Sequence, residues 1–179
     1  MNLPNKLTVL RVCMVPIFVF FMLWDHLGTT GRYIAALIFI LASMTDWLDG
    51  YLARKNHLVT DFGKFMDPIA DKLWVCSAMI CLVEQGMLAS WMVIVIIGRE
   101  FIISGFRLVA SDKGIVIAAS YWGKFKTVFQ MIMVILLILN LGGIWNTIAQ
   151  VITWIALILT VISLADYLKK NWSVLDGEM

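Results

Sequence analysis

Six mostly apolar stretches, each close to the length that spans a bilayer, alternate with short polar breaks along this chain: 7–24, 33–53, 65–86, 89–110, 122–142 and 145–167. A spanning helix needs roughly 20 such residues. The breaks carry turn chemistry: Asp25-His26-Leu27-Gly28-Thr29-Thr30-Gly31, Asn56-His57, Gln85-Gly86, Ser111-Asp112-Lys113-Gly114 and Asn140-Leu141-Gly142-Gly143. The pattern predicts an all-α, polytopic membrane protein with six transmembrane helices in one domain, 1–179. The first apolar stretch begins with a polar, amphipathic segment, Asn5-Lys6-Leu7-Thr8-Val9-Leu10-Arg11, which reads as a short lead in the interface. Pro16 is expected to kink or end a helix. No internal repeat or low-complexity segment interrupts the series.

Composition agrees. The chain is 61% hydrophobic and 15% charged, whereas soluble domains run nearer one-half and one-quarter. A net charge of +2 gives no footprint for nucleic acid. Cys13, Cys76 and Cys81 lie in apolar runs and read as small buried hydrophobes, not as a disulfide or metal framework. Met1–Lys6 leads into the first run without a small-residue cleavage site, so the first segment is expected to be retained. Most tryptophans, such as Trp24, Trp47, Trp91, Trp145 and Trp172, fall near stretch ends and read as interfacial anchors. His26 and His57 read as solvated loop residues.

The cations set an orientation. Lys6 and Arg11 precede the first stretch, and Arg54, Lys55 and Lys64 separate the second from the third. Arg107, Lys113, Lys124 and Lys126 surround the junction of the fourth and fifth, and Lys169 and Lys170 follow the sixth. Arg32 alone lies by the other set of loops. The Lys/Arg excess marks cytoplasmic loops, so both termini are expected inside a cell membrane.

Against this background one polar stripe stands out: Asp46, Asp49, Gly50, Ala53, Arg54, Gly63, Asp67 and Asp71. Charged side chains in apolar segments are costly and usually mark function. At helical periodicity Asp49, Gly50, Ala53 and Arg54 fall within about 80° of Asp46, on one face. Gly63, Asp67 and Asp71 recur every four residues and share another. Two helices would then present two carboxylates each. Four close carboxylates cannot all stay ionised unless cations bind. Hard oxygen donors favour Mg²⁺, Mn²⁺ or Ca²⁺ over zinc, and a paired-metal site for phosphoryl chemistry is the natural reading. Gly50, Ala53 and Gly63 leave room for a ligand against the backbone, and Arg54 can grip a phosphate bidentately.

Written out, the stripe is D-x-x-D-G-x-x-A-R, eight residues, then G-x-x-x-D-x-x-x-D. It resembles the signature of the CDP-alcohol phosphatidyltransferase family, with every fixed position filled. Softer features resemble those members whose acceptor is sn-glycerol 3-phosphate. They are P-N-x-x-T-x-x-R from Pro4, L-V-T-x-x-G-K-x-x-D-P-x-A-D-K from Leu58, Arg99-Glu100-Phe101 with Arg107, and Gly123-Lys124-Phe125-Lys126-Thr127.

The resemblance implies transfer of a phosphatidyl group from CDP-diacylglycerol to an alcohol, with release of CMP. Asp46, Asp49 and Asp67 would hold two Mg²⁺ or Mn²⁺ ions, with Asp71 as a further ligand and general base. Asn5, Thr8, Gly50, Ala53, Arg54, Thr60 and Gly63 would line the CDP-diacylglycerol pocket. The dianionic sn-glycerol 3-phosphate would need cations, for which Arg107, Lys124 and Lys126 are the candidates. Arg99 is weaker, because it can pair with Glu100. A homodimer among membrane lipids, with the active site facing the cytoplasm, completes the expectation.

Plainer readings exist for each group. The aspartates could bridge to Arg54, Lys64 or Lys72, but that does not explain their spacing. Arg107, Lys124 and Lys126 could serve topology or lipid headgroups. Asn5 and Thr8 could cap the first helix. The rival functions are a divalent-cation transporter, which leaves Gly50-x-x-Ala53-Arg54 unexplained, and a relative with another acceptor such as inositol phosphate.

Overall fold

The computed structural model describes residues 3–55, 61–115, 117 and 120–172. Among these, six α-helices and one short 3-10 turn account for nearly everything, and there is no strand. The helices are α1 (Leu3–Leu23), α2 (Gly28–Lys55), α3 (Asp61–Glu84), α4 (Ser90–Asp112), α5 (Tyr121–Leu139) and α6 (Ile144–Asn171), with Asp25–Leu27 turning between α1 and α2.

The polar breaks fall where the helices end. Gly86 closes the α3 turn at φ +69°, and Asn140, Gly142 and Gly143 follow α5 at φ 41°, 78° and 54°. Asn tolerates this left-handed region better than other side chains do, and Gly adopts it freely. Two expectations change. The amphipathic lead is not separate from the first apolar stretch, because α1 runs unbroken from Leu3. Nor does Pro16 end it: Pro16 lies inside α1, as Pro68 lies inside α3. Each proline removes one i→i−4 bond from its ladder, a loss that packed neighbours can absorb in a membrane helix.

Among the described residues, four stretches are long and apolar enough to cross a membrane: Asn5–Leu23, Gly28–Thr45, Tyr121–Leu139 and Ile144–Asn171. The other two helices, α3 and α4, carry charged residues well inside their length. Asp67, Asp71 and Lys72 lie within α3, and Arg99, Glu100 and Arg107 within α4.

The helices form two compact units. In the first, α1 packs against both α2 and α3. Its centre is aromatic: Phe18 of α1, Phe39 of α2 and Trp74 of α3 meet with ring centroids 5.4–6.0 Å apart, and Phe39 and Trp74 stack at 15°. All three are almost fully buried. The partners of α1 and α3 advance together along both helices: Thr8 with Asp67, Arg11 with Asp71, Phe18 with Trp74, and the Met22 carbonyl with Gln85. The two helices are therefore parallel.

In the second unit α4 packs on α6, again in parallel, with Trp91 against Trp154, Arg99 bonded to Ser163, and Phe106 edge-on to Tyr167. The buried side of α6 includes Ala149, Thr153, Ala156, Thr160, Ser163 and Tyr167 at a four-three spacing, mostly small residues, with Leu157 buried beside them. Small residues let membrane helices approach closely, which replaces the hydrophobic drive that lipid does not supply. Thr153 and Thr160 return their hydroxyls to the Ala149 and Ala156 carbonyls at 2.8 and 2.7 Å, so these two buried hydroxyls are satisfied within the helix.

The cysteines are all free, but only Cys81 is buried; Cys13 is exposed, on an apolar surface suited to lipid. Trp74 departs from the interfacial reading given to most tryptophans, since it belongs to the core.

Trp74→Ala would open a cavity where three helices meet. A loss on the order of 2–4 kcal/mol is expected, from missing dispersion contacts more than from transfer. Unfolding by SDS titration in mixed micelles measures it.

Candidate active site

The first unit places two of the signature aspartates against α1. The Thr8 hydroxyl donates to Asp67 Oδ1 at 2.5 Å, and Arg11 Nη1 donates to Asp71 Oδ1 at 2.5 Å. Thr8 and Arg11 are one turn apart on α1, and Asp67 and Asp71 one turn apart on α3. Parallel packing then lets both pairs close at once. The donors are buried, Thr8 and Arg11 each at 1% exposure, while the Asp71 side chain is 43% exposed. Asn5, a turn before Thr8, is buried, and so is Gly63, a turn before Asp67.

A shared register ties this to the aromatic centre. Arg11, Asp46 and Asp67 each stand seven residues from the ring their own helix contributes: Phe18, Phe39 and Trp74. Seven residues is two turns, about 10 Å along a helix and back to nearly the same face. Because α2 runs back from the aromatic layer, the three helical positions come to the same end of the unit. Asp46, Asp49, Gly50, Ala53 and Arg54 lie in the last turns of α2, with side chains outside the described residues; Thr60 falls outside them entirely. Among the described residues no three metal-binding side chains cluster. Asp67 and Asp71 nonetheless offer what hard divalent cations require: oxygen donors, one helical turn apart, oriented by hydrogen bonds from a neighbouring helix.

The cations of the second unit separate sharply. Arg107 and Lys124 are exposed, and Lys124 Nζ lies 5.4 Å from the Tyr121 ring centroid. Lys126 is buried, and its ammonium pairs with Glu100. The same Glu100 oxygen accepts from Arg99 Nη1 at 3.0 Å, and Arg99 Nη2 donates to Ser163 at 2.5 Å. Glu100 thereby joins α4 to α5, and Arg99 joins α4 to α6. Gly123 belongs to this arrangement. A Cβ there would come within 3.1 Å of Arg99 Nη2, so the α5 backbone makes room for the guanidinium. Ser120 caps α5 alongside, accepting the Gly123 N–H at 3.1 Å.

The expected pairing of Arg99 with Glu100 is present. Arg11 and Glu100 were not singled out for the site by sequence reasoning. The i, i+3 spacing of Asn5, Thr8 and Arg11 was the signal available for the first. Nothing short of a fold would have joined Glu100 to Lys126, 26 residues away.

The sequence model of the CDP-alcohol phosphatidyltransferase family matches residues 1–162, and the chain belongs to that family. The chain is 46% identical to the CDP-diacylglycerol–glycerol-3-phosphate 3-phosphatidyltransferase of Bacillus subtilis (strain 168), over 97% of each chain. It is 39% identical to the protein of the same name from Haemophilus influenzae, over 98% of this chain and 97% of that one. A probable phosphatidylglycerophosphate synthase of Mycobacterium tuberculosis is 40% identical over 94% of this chain and 81% of its own length.

A double-mutant cycle tests the Glu100 junction. Glu100→Gln takes a charge partner from buried Lys126 and is expected to destabilise, whereas adding Lys126→Met should recover part of the loss. A coupling of about 1–3 kcal/mol, read from SDS unfolding of the four proteins, is expected.

Proposed function

We propose that this chain transfers a phosphatidyl group from CDP-diacylglycerol to sn-glycerol 3-phosphate, giving phosphatidylglycerophosphate and CMP. The observation that carries this reading is near-full-length similarity, at 38–46% identity, to proteins named for that reaction. The complete acidic signature on α2 and α3 supports it.

Asp46, Asp49, Asp67 and Asp71 would hold one or two Mg²⁺ or Mn²⁺ ions, which when bound would neutralise the pyrophosphate and the departing CMP. Asp71, half-exposed at the end of the unit, takes the proton of the acceptor hydroxyl as that oxygen attacks the lipid-side phosphorus. The new P–O bond forms as the bond to CMP breaks. Arg54, with Gly50, Ala53 and Gly63 beside it in the signature, serves the nucleotide side. Arg107 and Lys124 are exposed and suit the acceptor phosphate. Lys126 is the third candidate, though in the described structure its ammonium already pairs with Glu100. The protein would act as a homodimer.

Purified protein with CDP-diacylglycerol, Mn²⁺ and a panel of acceptors, followed by CMP release, tests the reading. Turnover with glycerol 3-phosphate and not with serine or inositol phosphate is expected. Arg107→Ala should raise the KM for glycerol 3-phosphate on the order of 10-fold, the value of a charge-assisted contact, and leave that for CDP-diacylglycerol in place. CMP release with inositol phosphate alone would reassign the acceptor.

All six helices would cross the membrane with both termini and the aspartates on the cytoplasmic side. In a background lacking the native cysteines, a cysteine at Asp112 should react from the cytoplasm and one at Gly143 from outside. The opposite labelling would put the aspartates on the face away from CDP-linked substrates.

A further inference from the structure

The bond from Thr8 to Asp67 differs in kind from the other buried threonine bonds. Thr153 and Thr160 donate to carbonyls of their own helix. Thr8 reaches from α1 to a carboxylate 59 residues away, at 2.5 Å, with 1% of its surface exposed. A threonine in a helix has few χ1 rotamers, so its hydroxyl is a stiff donor. A carboxylate held through one oxygen by a stiff, buried donor has the direction of its second oxygen set as well. Arg11 does the same to Asp71, but its charge mixes orientation with neutralisation. Thr8 is uncharged, so at this position the two effects separate.

We propose that Thr8 is a positioning residue for Asp67: its hydroxyl fixes the carboxylate and thereby sets the divalent-cation affinity of the aspartate set, instead of lining the nucleotide pocket. The inference rests on the reading of these aspartates as a cation site. It departs from the role the family resemblance suggested for Thr8. Hydrogen-bond partners that orient ligand carboxylates are known to matter almost as much as the ligands.

The test uses the full chain in detergent micelles and Mn²⁺ alone, titrated by calorimetry or by the electron paramagnetic resonance of free Mn²⁺. Thr8→Val keeps the shape and removes the hydroxyl; it should weaken Mn²⁺ binding about 10–100-fold. Thr8→Ser keeps the hydroxyl and should stay within about threefold of the native protein. Leu10→Ala, on the exposed side of α1, should change nothing. With Mn²⁺ saturating, the Thr8→Val KM for CDP-diacylglycerol should remain within about twofold of native. If the valine variant does not fold, Thr8→Ala, also without a hydroxyl, must show the same loss. Native Mn²⁺ affinity in Thr8→Val together with a raised CDP-diacylglycerol KM would overturn the inference alone and return Thr8 to the nucleotide pocket. Absence of Mn²⁺ binding by the native protein would overturn the cation site as well.

Discussion

Carboxylates on a helix that must sit among apolar neighbours need compensation, and much in the first unit follows from how α1 supplies it. Asp67 and Asp71 lie one turn apart on α3, so their partners must also lie one turn apart on a helix running alongside. Thr8 and Arg11 meet that condition because α1 and α3 are parallel and in register. The aromatic cluster two turns further along fixes that register: Phe18 cannot slide against Trp74 without breaking both polar contacts. α2 returns antiparallel along α1 and brings its own acidic turns back to the same end. The continuity of α1 through Pro16 matters for the same reason. A break there would uncouple the polar end from the aromatic layer that aligns it.

The second unit solves a related problem differently. Its close approach comes from small residues, with Ala149, Ala156 and Ser163 on the buried side of α6. Its buried charges are gathered at one level, where Glu100 serves both Arg99 and Lys126. A buried ion pair adds little net stability over a well-packed apolar replacement, yet leaving one partner alone is costly. Such a junction mainly ties α4 to α5 at one level. Gly123 shows how local it is, since a single added methyl would press on the guanidinium.

Periodicity made much of this legible in advance. Apolar lengths and turn residues gave six helices, with ends displaced by a few residues, because helix ends are set by packing and frayed turns that hydropathy does not report. The signature spacing placed Asp46 with Asp49 and Asp67 with Asp71 in consecutive turns, since faces follow from 3.6 residues per turn alone. Arg11 read as a topological charge and as the last position of P-N-x-x-T-x-x-R, but not as a partner of Asp71, because that pairing depends on the parallel packing of two helices that are not consecutive in the chain. Lys126 read as a candidate ligand for the same reason: a positive charge in a cytoplasmic segment looks alike in sequence whether it faces water or Glu100. Cys13 and Trp74 exchanged the places their types suggested, which only the facing helices decide.

Burial sorts the cations in a way that bears on chemistry. Arg11, Arg99 and Lys126 are nearly fully buried, and each has a carboxylate partner within the protein. Their charge is spent on architecture, and recruiting them for a substrate would expose an acid to the cost of losing its partner. Arg107 and Lys124 are exposed. For them a phosphate displaces water and no carboxylate is orphaned, so binding keeps more of its Coulombic gain. An enzyme that must hold a dianion briefly and release a dianionic product gains from cations of the second kind. Orientation from buried groups and attraction from exposed ones are separable tasks, and different residues of this chain carry them.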